Sequence, residues 1–215
     1  MAASTLRSSL ALVTAALVLA APTRAFYTPL SEQAVREAYF LGQRTDGTYQ
    51  RQLAKYTKVL TPPKTGPYIS SIAFLTPFIQ FVEYSSRQFN YSAQQAEKDH
   101  NPDEEFVRIE VEIWLTPSYG AHTSESSTPL GYVSRSCDFW REFKYRILDG
   151  EEEIATEDVA GQARYFCSKT GCSLVGATIR LQFPAAAFTS ASATIEVTPP
   201  EGDAVSAAFD LSTLR

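Results

Sequence analysis

Apolar and polar residues alternate without a break between Glu105 and Leu115, in the stretch EFVRIEVEIWL. Val107, Ile109, Val111, Ile113 and Leu115 fall on one side, and Arg108, Glu110, Glu112 and Trp114 on the other. Side chains of a strand point to opposite faces with a period of two, so the spacing predicts a long strand with one apolar face. A helix would scatter those five aliphatic residues around its axis.

The chain before this strand reads mostly as helix. Leu30, Ala34, Val35, Ala38 and Leu41 recur at three- and four-residue spacing behind two possible caps, Thr28-Pro29 and Ser31, and the helix should end at Gly42. After a TDG turn at Thr45 to Gly47, Tyr49, Leu53, Tyr56 and Leu60 form the stripe of a second helix, which Pro62-Pro63 stops. Thr65 to Ile72 reads as loop leading into a short extended piece. Thr76-Pro77 then opens a helix over 77–89, with a strand over Ile69 to Phe81 as the alternative, because that run is rich in β-branched and aromatic residues. Ser92 and Gln95 have the spacing of a capping box for a short helix ending by Asn101-Pro102.

The chain after it reads as strands and turns. Following a polar stretch from Thr116 to Ser136, a strand is predicted over Phe139 to Leu148, with Trp140 and Glu142 in its polar register, and Asp149-Gly150 is a turn. Ala163 to Cys167 and Cys172 to Phe183 form one hairpin, and Ala193 to Thr198 and Ala204 to Leu211 another around PPEGD. The expected fold is α+β: a C-terminal antiparallel β-sandwich (Ig-like or a half-open barrel) over 103–215, with an N-terminal helical layer, 26–102, packed on it. The helical stripes are too short to stand alone, so the two regions should form one cooperative unit.

Composition adds a compartment. Arg7 followed by the apolar run Leu10 to Ala21, with Thr23 and Ala25 at the −3 and −1 positions, reads as a signal peptide over 1–25. Its removal takes away Arg7 and Arg24 and no acid, so Lys+Arg falls from 19 to 17 against 24 Asp+Glu, a net −7. So acidic a chain, with no basic cluster, argues against nucleic acid or anionic lipid as partner. No later segment is apolar enough to insert in a membrane. An exported, periplasmic or extracellular, protein is expected. In an oxidising compartment Cys167 and Cys172, bracketing a turn, are placed for a cross-strand disulfide, with Cys137 left as a buried thiol.

AYFLGQR (Ala38 to Arg44), TGPYIS (Thr65 to Ser70) and YSAQQA (Tyr91 to Ala96) together resemble a group of exported bacterial proteins of unknown function, over most of the chain after the leader. The resemblance implies that helices and strands form one unit. It brings no activity, cofactor or catalytic residue.

The sequence holds none of the common nucleophile, phosphate-loop or zinc-protease motifs. His100 and His122 stand in polar, loop-like surroundings, and the acidic runs Asp103 to Glu105, Glu151 to Glu153 and Glu157-Asp158 lack the alternation of a calcium loop and read as solvated turn charges. No cofactor or metal is implied. The one lead is aromatic: Trp114 and Trp140, with Glu110, Glu112 and Glu142, fall in the polar registers of their strands. Such a face could stack sugar rings and bond their hydroxyls, or two of its carboxylates could work as an acid/base pair at roughly 5–10 Å. It could equally be covered by the helices. A non-enzymatic binding or interaction module with a protein or glycan partner is the leading expectation. A carbohydrate-acting enzyme with paired carboxylates, and a structural component of a cell-envelope assembly, are the alternatives.

Overall fold

The computed structural model describes residues 25–116, 118–119, 135–156, 159–169 and 171–215. The predicted signal peptide (but for Ala25), most of the polar stretch after Thr116, His122 and the Glu157-Asp158 pair lie outside them.

Helix α1 (Glu32–Gly42) starts where Ser31 accepts a hydrogen bond from the Ala34 amide at 3.2 Å. Its last residue, Gly42, is not a left-handed cap. A Cβ there would come within 2.5 Å of the Val82 carbonyl oxygen, so glycine is what lets α1 close on the helix carrying Val82. Helix α2 (Thr48–Leu53) is shorter than its stripe predicted. After a single 3-10 turn over Ala54–Tyr56 the chain extends into strand β1 (Thr57–Val59). Strand β2 (Tyr68–Leu75) occupies what read as loop, so the strand alternative holds as far as Leu75. Helix α3 (Pro77–Ser86) follows, with proline in its first turn, and α4 (Ala93–Asp99) is capped by Ser92. Only one arm of the predicted capping box forms: Ser92 accepts from the Gln95 amide at 3.1 Å, while the Gln95 side chain donates to Asp99.

Strand β3 (Phe106–Trp114) carries the predicted alternation, and Val107, Ile109, Val111 and Ile113 are wholly buried. The expected strand over Phe139 to Leu148 is shorter. Phe139–Glu142 is a 3-10 turn, and β4 (Lys144–Asp149) begins after it. Then come β5 (Glu152–Ile154), β6 (Val159–Ser168), β7 (Gly171–Pro184), β8 (Ser192–Thr198) and β9 (Val205–Asp210).

All pairings are antiparallel, in two sheets ordered β1-β2-β3-β7-β6 and β5-β4-β8-β9. The predicted α+β class with a β-sandwich therefore stands, with one revision: the N-terminal region is not helical throughout, because it supplies β1 and β2 to the sheet centred on β3. The inner faces meet through Ile109, Val111, Ile179 and Leu181 on one side and Ile147, Ile195 and Val197 on the other, all wholly buried. Phe74 of β2 reaches Phe209 of β9 at 5.8 Å and Phe188 at 5.0 Å, joining the two sheets at one end.

Cys167 and Cys172 sit directly opposite each other on β6 and β7 and form the predicted disulfide, Cα atoms 4.0 Å apart. Cys137 is free but exposed, not buried; it lies in a tight polar turn where Ser136 bonds Asp138. Glu105 is a second correction. Its side chain is 5% exposed, not a solvated turn charge, and it accepts from the Leu30 amide at 2.6 Å and the Thr28 hydroxyl at 2.7 Å. His100 Nε2 stands 3.1 Å from Glu105, without hydrogen-bond alignment. The pair fastens the segment before α1 to the foot of β3.

Candidate functional site

The pleat that buries the even spacing of valines and isoleucines on β3 turns Arg108, Glu110, Glu112 and Trp114 outward. Register carries the same face across the sheet. Glu110 stands opposite Ala73 and Arg180, and Glu112 opposite Ser71 and Thr178. Trp114 lies beside Gly176, whose other neighbour is Arg164.

These residues make a ladder of alternating charge. Glu110 is held by Arg180 Nε at 3.0 Å and by Arg108 Nε at 3.1 Å. Arg108 also pairs with Glu83 of α3, which holds Arg87 at 2.6 Å. Beside this chain of five groups, Glu112 pairs with Arg164 and accepts from Ser70 at 3.1 Å. Arg164 reaches past Gly176, the residue between it and Trp114 in the ladder, and its guanidinium lies 4.7 Å over the Trp114 ring. A Cβ on Gly176 would collide with the Ile113 carbonyl oxygen, so the glycine lets β7 lie close against β3 there. The sheet forms the floor, and Leu53 from α2 and Glu83 and Arg87 from α3 form the rim, of an open groove of about 710 Å³. Tyr49 of α2 stands near the same charges; burial first, then the charge of Glu83, pushes its phenol's pKa up.

The five predicted site residues do not come together. Trp114, Glu110 and Glu112 share the outer face as expected. Trp140 does not: the 3-10 turn carries it to the opposite side of the sheet, where it is 5% exposed. Its indole occupies the space that a Cβ on Gly161 would need, and Gly161 is paired with Ile179 on the inner face. Strand β6, not a helix, covers it. Glu142 lies on the same turn, half-exposed, 3.4 Å from the Tyr119 hydroxyl and 3.7 Å from Arg135. Arg135 stacks on the Tyr119 ring at 3.6 Å, and burial, ahead of the charges around it, pushes that phenol's pKa up to about 12. The expected single aromatic and acidic face is thus two sites on opposite sides of one sheet.

Five groove residues were not singled out from the sequence. Arg108 and Arg180 stand in the polar registers of β3 and β7, where alternation alone could have found them. Glu83, Arg87 and Arg164 reach the groove from other elements and needed the tertiary arrangement.

Among the described residues no helix is long and apolar enough to cross a membrane. No protein-family model matches the chain, and no curated protein matches it.

Proposed function

We propose that this is an exported, non-enzymatic binding module, in the periplasm or outside the cell, and that the outer groove of the β3 sheet is its binding surface. The observation that carries the reading is the pairing of the groove's carboxylates. A glycosidase acid must be a desolvated carboxyl positioned to give up its proton. Glu110 and Glu112 are each held by arginine and remain about a third exposed, 28% and 32%. That arrangement suits recognition, with charged donors and acceptors fixed in place, better than proton transfer. The leader over residues 1–25, the cross-strand disulfide and the resemblance to exported bacterial proteins support the compartment.

A screen of oligosaccharides and peptides by thermal shift tests it. A ligand at 100 times its Kd adds roughly 2.7 kcal/mol of stability, and Arg180→Ala should abolish the shift without unfolding the protein. Turnover of any glycoside that Glu110→Gln removes would overturn the reading in favour of an enzyme.

A second reading rests on a different observation. The tip of the β6–β7 hairpin runs past the end of β3 and exposes Tyr165 (53%) and Phe166 (67%), and among the described residues β6 has no strand on its outer side. An open edge with exposed aromatics suits docking to a protein, as in a cell-envelope assembly.

A further inference from the structure

We infer that the groove takes an acidic oligosaccharide, a chain of sugars bearing carboxylates, with Arg180 and Arg164 as its anion-binding residues. The inference rests on the groove being a binding surface, and it adds the class of ligand.

Charge comes first. The groove gathers four arginines, Arg87, Arg108, Arg164 and Arg180, against three glutamates, Glu83, Glu110 and Glu112. Its balance is one positive charge, on a chain of formal net charge −5. Local charge there has the opposite sign to the chain as a whole, which favours an anion at this face.

Hydrogen-bond capacity comes second. A guanidinium has five N–H donors in a planar fork. Among the described residues Arg180 spends only its Nε–H, on Glu110, and it stays 48% exposed with both terminal amino groups uncommitted there. Arg164 makes its nearest contact with Glu112 through a terminal nitrogen and stays 38% exposed. The internal pairs therefore offset charge while leaving the forks that grip a carboxylate two-handed. Glu110 and Glu112 are successive outward residues of β3, roughly 7 Å apart. The arginines tied to them thus offer anion positions in a row, which suits a ligand with repeating charges.

The three glutamates decide which polyanion fits. Nucleic acid or a run of acidic residues brings a negative charge at every unit and few hydroxyl donors to meet those carboxylates. A sugar acid also brings one carboxylate per unit, but with it several hydroxyls. Its carboxylates meet the arginines, and its hydroxyls donate to the glutamates and to Ser71, Thr178 and Gln182 along the floor. Arg164, at the end of the groove nearest Trp114, is held in place by the indole beneath its guanidinium.

The test is titration with galacturonate oligosaccharides, followed by calorimetry and by the two indole N–H signals in NMR. The same oligosaccharides with methyl-esterified carboxylates, neutral cello-oligosaccharides and a poly-glutamate peptide are run beside them. The expected result is saturable binding that moves the Trp114 signal and leaves the Trp140 signal in place. Esterification, Arg180→Ala and Arg164→Ala should each weaken it by about tenfold or more. Both arginines are partly exposed surface residues, and melting curves confirm that the variants fold; Arg180→Lys, which keeps the charge and loses the fork, should fall in between. Equal binding of the esterified or neutral sugar would overturn the acidic class and leave the binding surface standing. Tighter binding of poly-glutamate, or affinity that ignores both arginines, would overturn the assignment as well. If no ligand in the panel disturbs Trp114, the groove loses both its ligand class and its standing as the binding surface.

Discussion

The two tryptophans have a similar sequence setting, each among apolar and charged residues, and they end on opposite sides of one sheet. Trp114 lies outside, with an arginine over its ring. Trp140 lies inside, against a glycine that lets the indole rest on the strand. A glycine stands beside each for a different reason: at Gly161 the missing side chain makes room for the indole itself, and at Gly176 it makes room for the backbone of the neighbouring strand. What an aromatic residue does here depends on which face it is offered, and one short turn decides that.

The comparison breaks most sharply under truncation. Trp140→Ala should cost roughly 3–5 kcal/mol, as removal of a large side chain from a packed interior does. Trp114→Ala removes a partly exposed ring on the outer face and a cation–π contact and should cost clearly less. Chemical unfolding of the two variants measures both, and equal losses would show that the two sites do not differ. Iodide quenching gives a milder view, since the chain has two tryptophans. One component of the emission should be readily quenched and the other, blue-shifted, should resist.

Next in size is Gly161→Ala. A methyl at this position meets the indole ring system directly, and crowding of this kind typically costs 1–3 kcal/mol. If Trp140 is what it meets, combining it with Trp140→Ala should cost less than the sum of the two losses. Additive losses would place the indole elsewhere.

The smallest effect is confined to alkaline solution. Tyr145 donates to the Trp140 carbonyl at 3.2 Å, and burial pushes its phenol's pKa well above the ordinary 10.0. In the folded protein the phenol stays protonated while its unfolded counterpart ionises. Its contribution is therefore whole below about pH 10 and is lost as pH rises towards the folded value, at no more than about 1.4 kcal/mol per pH unit. Tyr145→Phe should flatten that decline in melts between pH 9 and 11. An unchanged slope would mean that other groups, Tyr119 among them, set it.

Much of the sheet was legible because its residues obey one period. Strand β3 reads from its alternation, and β7 to β9 from theirs. The signal failed where period and packing part company. In β2, Ile72 to Leu75 are buried in a row, so no alternation marks the strand. Leu60 continues the helical spacing of Tyr49, Leu53 and Tyr56 beyond the point where the chain has turned to pair with β2. At Phe139 a warning was present: a strand starting there would turn Arg141 inward. Phe139, Trp140 and Phe143, all buried, have a spacing that a turn of helix satisfies and a strand does not. Of the groove, the sequence held the strand residues, while Glu83, Arg87 and Arg164 reached it only through the order of strands and the entry of α3.

The disulfide has a consequence for that groove. Strand β7 carries a bulge: between Gly176 and Leu174 it uses one residue more, Val175, than β6 uses between Arg164 and Tyr165, and the Cys167–Cys172 bond lies just beyond it. A bulge is a count held in place, and if it migrates by one residue along β7, the residue it passes changes sides. The bond locks the count from the tip, which keeps Gly176 as the residue between Arg164 and Trp114. Reduction leaves hydrogen bonds alone to hold that register, so the redox state of a bond at the end of the hairpin becomes a condition on which residue separates an arginine from a tryptophan several residues away.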